Sequence, residues 1–190
     1  CAPALEHYDL RPGFVLFVAA LRRHKNWEGA VLAWAGLPQE LRTRHPLVFA
    51  GSTRRAGDAP LVLARRLGLA EGEVRLLGAV GDEALPALYS SCAVFLYPSW
   101  QEGFGLPPLE AMACGAPVVA SRVAALPEVL GNAAAWGEPA DPQSFTVPLR
   151  SLLEDPAERA QRAVSSLEHA RSYGPQRTGA AMRALLDALD

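Results

Sequence analysis

Half of the 190 residues are hydrophobic, 20% are charged and 7% are aromatic, which is the composition of an ordinary globular domain with enough apolar material for a full core. Eighteen Lys and Arg against 20 Asp and Glu give a formal charge of −2, so the basic excess that tracks a nucleic-acid backbone is missing and nucleic acid is not an expected partner. No apolar run reaches the roughly 18 residues of a membrane span, the amino terminus lacks a signal-peptide layout, and at about 150 residues per domain the length predicts one domain.

Short apolar runs alternate with helix-like stretches along the chain. Residues 14–20 (FVLFVAA) read as a strand covered on both faces. Asn26 then caps a helix running through Leu32 and Trp34 towards Arg42. Residues 46–50 (PLVFA) form a second strand ended by Gly51, and 61–67 a helix stopped by Gly68. A third strand is expected at 74–77, followed by a helix that Asp82 caps and that places Leu85, Leu88 and Tyr89 on one stripe. Residues 93–97 (AVFLY) give a fourth strand, 109–114 a helix behind Pro107 and Pro108, 117–120 (PVVA) a fifth strand and 133–136 a short sixth. From about Asp141 the pattern is helical, over 142–153, 156–173 and 176–189. This rhythm predicts an α/β domain, a doubly wound parallel sheet, over residues 1–172, with a helical tail at 173–190. Cys92 and Cys114 lie in apolar runs and, with Cys1, form no C-x-x-C pair. They read as small buried hydrophobes of a reducing compartment, with no zinc or disulfide role. A chain that opens on Cys1 rather than Met is expected to be a fragment with sequence missing upstream.

Ligands of such sheets bind beyond the carboxyl ends of the strands. Three segments fall there, at 21–26, 78–82 and 99–106, and the third opens the most unusual stretch of the chain, PSWQEGFGLPPLEAMACGAPVVAS. Gly103 and Gly105 remove two Cβ atoms, so the backbone can approach a ligand and take positive φ. The helix that follows turns its positive amino-terminal end to the loop. Because Pro107 and Pro108 carry no N–H, the donors left are those of Gly103, Phe104, Gly105 and Leu106, plus Leu109. Glu102 and Glu110 flank the loop. Two carboxylates would repel a bare phosphate but suit adjacent sugar hydroxyls, which points to a nucleotide-sugar.

EGFGLPPLEAMACGAPVVAS closely resembles the signature of glycosyltransferase family 4, the retaining family built from two Rossmann-like domains, with its paired glutamates at Glu102 and Glu110. The likeness continues through VRLLGAVGDEALPALYSSCAVFLYPS, ALPEVLGNAA and FVAALRRHKN, covering about residues 12–172. It implies the carboxyl-terminal, donor-binding half of a GT-B fold, whose last helix would pack on an absent amino-terminal domain. It further implies that Glu102 meets the donor sugar near the reacting carbon and Glu110 holds the ribose hydroxyls. The amides of Gly103 to Leu106 would lie by sugar and diphosphate, Lys25 would neutralise the diphosphate, and the turn of Val80 and Asp82 would receive the base. No metal and no cofactor are implied, since the GDP- or UDP-sugar is a substrate. The implied acceptor is a saccharide or a lipid-linked saccharide held by the missing domain. The implied setting is cytoplasmic, with peripheral association at the inner face of a membrane.

One departure stands out. Where many relatives have an arginine in G-R-L, this chain has Ala19-Ala20-Leu21, and where others have an arginine before the lysine it has His24. Arg22 or Arg23 is therefore the candidate second charge for the diphosphate, and His24 is left outside the site. His7, His45 and His169 are expected to face solvent, and Met112 and Phe104 to pack in core and loop. The sugar is open, with mannose favoured. Two other readings remain: a nucleotide-sugar epimerase of the same architecture, against which the paired glutamates speak, and a non-catalytic nucleotide-binding module, for which the missing arginine is the only support.

Overall fold

A computed structural model describes residues 2–174 together with 182 and 183. Six strands, all parallel, form one sheet: β1 (Val15–Val18), β2 (Leu47–Ala50), β3 (Val74–Gly78), β4 (Val94–Tyr97), β5 (Val118–Ser121) and β6 (Ala134–Gly137). Their spatial order is β3-β2-β1-β4-β5-β6. Every residue of β1, β2, β4 and β5 is buried, which is why these runs are apolar throughout instead of alternating. In β1, Leu16 pairs with Val48 on one side and with Phe95 on the other. The chain winds outward from β1 to β3, then crosses back to place β4 on the other flank of β1. At that reversal the loops leaving β1 and β4 turn to opposite faces and open a crevice.

Helices cover both faces. Alternation along β1 sends Leu16 and Val18 into one apolar layer and Val15 and Phe17 into the other. The first layer is completed by α1 (Ala2–His7), α5 (Leu85–Ser91), α6 (Leu106–Ala113), α7 (Leu126–Leu130) and α9 (Pro156–Ala170). The second is completed by α2 (Trp27–Ala35), α3 (Gln39–Arg44), α4 (Ala59–Arg66) and α8 (Gln143–Glu154). Among the described residues no helix is long and apolar enough to cross a membrane.

The predicted doubly wound sheet is the observed one, with local corrections. The helix expected from Asn26 to Arg42 is broken into α2 and α3, because Pro38 disfavours helical backbone at Leu37 and cannot donate to the preceding turn. Asp82 does not cap α5. A tight turn closed by Ala84 N–H to the Gly81 carbonyl (3.0 Å) precedes a helix whose first turn takes Pro86, where no N–H is needed. For the same reason α6 begins at Leu106, with Pro107 and Pro108 inside its first turn, and not at Leu109. Helices α1 and α7 lie where no element was anticipated. The expected tail helix at 176–189, and with it the proposed docking segment at 173–190, falls almost wholly outside the described residues.

His45 is buried rather than solvent-facing. Its Nδ1 lies 2.5 Å from the Gly13 carbonyl, and its own carbonyl accepts from Trp34 Nε1 at 3.0 Å. Burial is the main cause that lowers its pKa from the ordinary 6.5. The unfolded chain therefore takes up a proton, as pH falls through about 6.5, that the folded chain resists. Stability present above that pH is lost below it. Urea midpoints measured between pH 8 and 5 should fall with acidification in the wild type and fall less steeply in His45→Gln; equal slopes would remove His45 as the cause.

Candidate functional site

The crevice is held open by a network that ties the loop after β1 to the loop after β4. A 3-10 turn at Arg23–Lys25 is followed by Asn26, which is 6% exposed and takes the left-handed conformation (φ 53°). Its side-chain oxygen caps α2 by accepting from Gly29 N–H at 3.1 Å, as its sequence position predicts. Its Nδ2 donates to the carbonyls of Pro98 (2.9 Å) and Pro139 (3.2 Å). Trp100 N–H donates to the His24 carbonyl (2.8 Å), and Ser121 Oγ to the Ser99 carbonyl (2.5 Å). Two loops more than 70 residues apart in sequence are thereby fixed to each other and to the sheet.

Lys25 and Glu102 meet across this crevice, with Nζ 2.7 Å from Oε1 and side chains 19% and 8% exposed. The ammonium also donates to Tyr97 Oη at 3.0 Å and sits 5.4 Å from that ring's centre. Tyr97 is fully buried at the end of β4, and burial first, then the neighbouring Glu102 carboxylate, pushes its phenol well above the ordinary range. It stays a neutral dipole at any physiological pH. Lys25 thus has one charged and one neutral acceptor, in a setting where water is largely excluded.

Beside this pair lies the glycine loop. Gly105 takes φ +92° as the residue before α6, and a Cβ there would collide with Leu126, so both conformation and space require glycine. Gly103 differs from expectation: its φ is not positive, and a Cβ would meet nothing within 4 Å, so it leaves open space rather than a turn. Leu109 N–H is not available, because it donates to the Gly105 carbonyl at 3.3 Å. The amides of Gly103, Phe104, Gly105 and Leu106 find no acceptor among the described residues, and they stand at the positive end of the α6 dipole. Four donors and one ammonium make a place for an oxyanion.

Glu110, one turn further along α6, is exposed, but its Oε2 accepts from Tyr89 Oη of α5 at 3.0 Å. That contact fixes the carboxylate and leaves Oε1 without a hydrogen-bond partner among the described residues. Burial, then Glu110, raises the Tyr89 phenol. Val80 is half-buried against the same apolar layer as Leu109, and Asp82 is exposed on the turn after β3. Arg22 and Arg23 are exposed and line hollows with Trp27, Arg55 and Ala59, in which neither Lys25 nor Glu102 takes part. His24 is exposed and contributes only its carbonyl. Phe104 is 45% exposed, edge-on to Tyr173 at 6.3 Å, while Met112 is core. His169 is tied to the Val129 carbonyl at 2.7 Å and only partly exposed. Cys92 and Cys114 are half-buried free thiols, both raised by burial. Among the described residues no group of three or more His, Cys, Asp or Glu could hold a metal ion.

Residues 7–168 match the model of the family described as Glycosyl transferases group 1. The chain is 40% identical over 174 residues to O-antigen chain mannosyltransferase B of Escherichia coli, a match that covers 91% of this chain and 45% of the relative. Among solved structures, sucrose-phosphate synthase from Thermosynechococcus elongatus superposes with a TM-score of 0.81 at 28% identity, over 99% of this chain and 49% of that one. The Anabaena protein HepE, solved in complex with UDP and glucose, superposes with a TM-score of 0.80 at 22% identity, over 98% of this chain and 51% of that one. The chain spans about half the length of these proteins.

Proposed function

The chain belongs to the group 1 glycosyl transferases, and on that premise we propose that it is the donor-binding half of a retaining mannosyl transferase. The observation that carries the reading is the pairing of Lys25 with Glu102 across the crevice, beside four amides without acceptors. The Escherichia coli relatives include an O-antigen chain mannosyltransferase and serotype-specific mannosyltransferases, which favours mannose. HepE is described with UDP and glucose, in keeping with a nucleotide-sugar in the same fold.

In this reading the diphosphate of the donor lies between Lys25 and the amino-terminal end of α6. As the anomeric carbon–oxygen bond breaks, negative charge grows on the leaving diphosphate, where the ammonium and the amides already point; fixed donors of this kind stabilise a transition state without reorganising. Glu102 accepts hydroxyls of the sugar, Glu110 accepts the ribose hydroxyls through its open Oε1, and the turn of Val80 and Asp82 borders the base. The acceptor hydroxyl oxygen bonds to the anomeric carbon on the face the diphosphate leaves, its proton passes to the departing phosphate oxygen, and the products are the glycoside and the nucleoside diphosphate. The acceptor, a saccharide or lipid-linked saccharide, is held by the remainder of the enzyme.

The complete enzyme, given GDP-mannose and a mannose-terminated oligosaccharide, should release nucleoside diphosphate and form a product whose new anomeric proton, followed by NMR, keeps the α configuration of the donor. An inverted product, or no transfer from GDP-mannose while a UDP-sugar is used, would contradict the reading.

A further inference from the structure

The two acceptors that hold the Lys25 ammonium are built very differently. Glu102 stands on the loop after β4, and the proposed reaction asks it to accept sugar hydroxyls. Tyr97 is the last residue of β4 itself, a strand paired on both sides, and its side chain is fully buried. Its ring stacks on Phe95 at 5.8 Å between centres with 21° between planes, and lies tilted against Phe17 at 6.4 Å. A ring packed in this way is held in one rotamer, so the phenolic oxygen is a fixed point at the edge of the crevice. A lysine stem, by contrast, is among the side chains with the most rotamer freedom to lose.

The three N–H bonds of the ammonium are already divided. One is donated to Glu102 Oε1 at 2.7 Å and one to Tyr97 Oη at 3.0 Å, and the third has no acceptor among the described residues. The two acceptors also differ in charge. Glu102 cancels the charge of the ammonium. The phenol stays neutral, because burial first and the Glu102 carboxylate second push it well above the ordinary range. It therefore orients the ammonium and leaves its charge available to the diphosphate. Packing alone would be served by phenylalanine, since Phe95 and Phe17, the rings against it, carry no hydroxyl.

We infer that Tyr97 is a positioning residue for the transfer: its fixed phenolic oxygen holds the Lys25 ammonium in the crevice while Glu102 turns to the sugar and the diphosphate takes its place. The inference rests on the reading of the crevice as the donor site. Being fully buried, the phenol does not touch the donor and acts through Lys25. Without the phenol, an ammonium released by Glu102 is guided only by its flexible stem, and fewer of its conformations meet the leaving oxygen. Binding of the diphosphate in the ground state loses less, because the amides at the start of α6 still hold it. The loss therefore falls on kcat rather than on KM.

The test is a double-mutant cycle in the complete enzyme, with Tyr97→Phe, Lys25→Met and both together. Phenylalanine keeps the stacked ring, and turnover is read at a temperature where thermal midpoints show every variant folded. Tyr97→Leu, which also lacks the hydroxyl, is run in parallel so that a folding defect in one variant leaves the cycle readable. Tyr97→Phe should lower kcat about tenfold, the effect of one hydrogen bond to a charged group, with KM for the donor changed less than about threefold. In the Lys25→Met background the same substitution should change kcat less than about twofold. A merely structural hydroxyl would lower turnover alike in both backgrounds. Equal losses in both, or a kcat within about twofold of wild type in folded Tyr97→Phe, overturn the inference alone. If Lys25→Met itself turns over like the wild type, the placement of the diphosphate fails and the inference falls with it.

Discussion

Lys25→Ala in the complete enzyme is expected to lower turnover by about two to three orders of magnitude, the usual effect of losing one preorganised donor at a developing oxyanion. Affinity for the nucleoside monophosphate should change little by comparison. The α6 end supplies about half a positive charge, and the chain as a whole is slightly acidic, so the neutralising charge must be local. Lys25 is the cation that the loop network delivers to the crevice, held by Glu102 at 2.7 Å and Tyr97 at 3.0 Å. It already neutralises a carboxylate, that of Glu102. Donor binding must therefore share the ammonium between Glu102 and the diphosphate, which removes the repulsion between those two anions. Because alanine also strips Glu102 of its partner, Lys25→Met, which keeps the aliphatic stem, should be assayed beside it with thermal midpoints for both. Turnover within threefold of wild type in folded variants would make Lys25 a structural partner of Glu102.

The second large effect concerns stability. Asn26→Ala should destabilise the chain by about 2.5–6.5 kcal/mol. Three buried hydrogen bonds are lost, each contributing about 0.5–1.5 kcal/mol net, and an alanine in the left-handed region costs about 1–2 kcal/mol more. The partners left behind are Gly29 N–H and the carbonyls of Pro98 and Pro139, all drawn from different segments. Urea unfolding should show a lower midpoint with an unchanged slope. Asn26→Gly should lose less, since glycine accepts φ 53° without strain but supplies no bonds. A loss under 1 kcal/mol for alanine would show that the loops are held by other contacts.

Much of the fold was legible because its strands are buried on both faces and read as unbroken apolar runs such as FVLFVAA and AVFLY. Helix boundaries were less legible, since prolines at 38, 86, 107 and 108 act through the turns around them. Asp82 looked like a cap only because the turn at Gly81 was invisible in one dimension. The paired glutamates and the glycine loop stand within ten residues and announce themselves. Their supports do not: Tyr97 reaches Lys25 across 72 residues of sequence, and Tyr89 reaches Glu110 across 21, yet both read as members of apolar runs. His45 was misplaced for the same reason, as its acceptor at Gly13 is 32 residues away.

Calorimetric titration of this chain with GDP and UDP, beside Glu110→Ala, tests the central claim of a nucleotide-binding crevice most directly. A carboxylate that holds ribose hydroxyls contributes about 1.5–3 kcal/mol through charge-assisted hydrogen bonds. The account predicts saturable binding of at least one of the two nucleotides, weakened about ten- to a hundredfold in the variant. No binding of either nucleotide at millimolar concentration, or unchanged affinity in a folded Glu110→Ala, would contradict it.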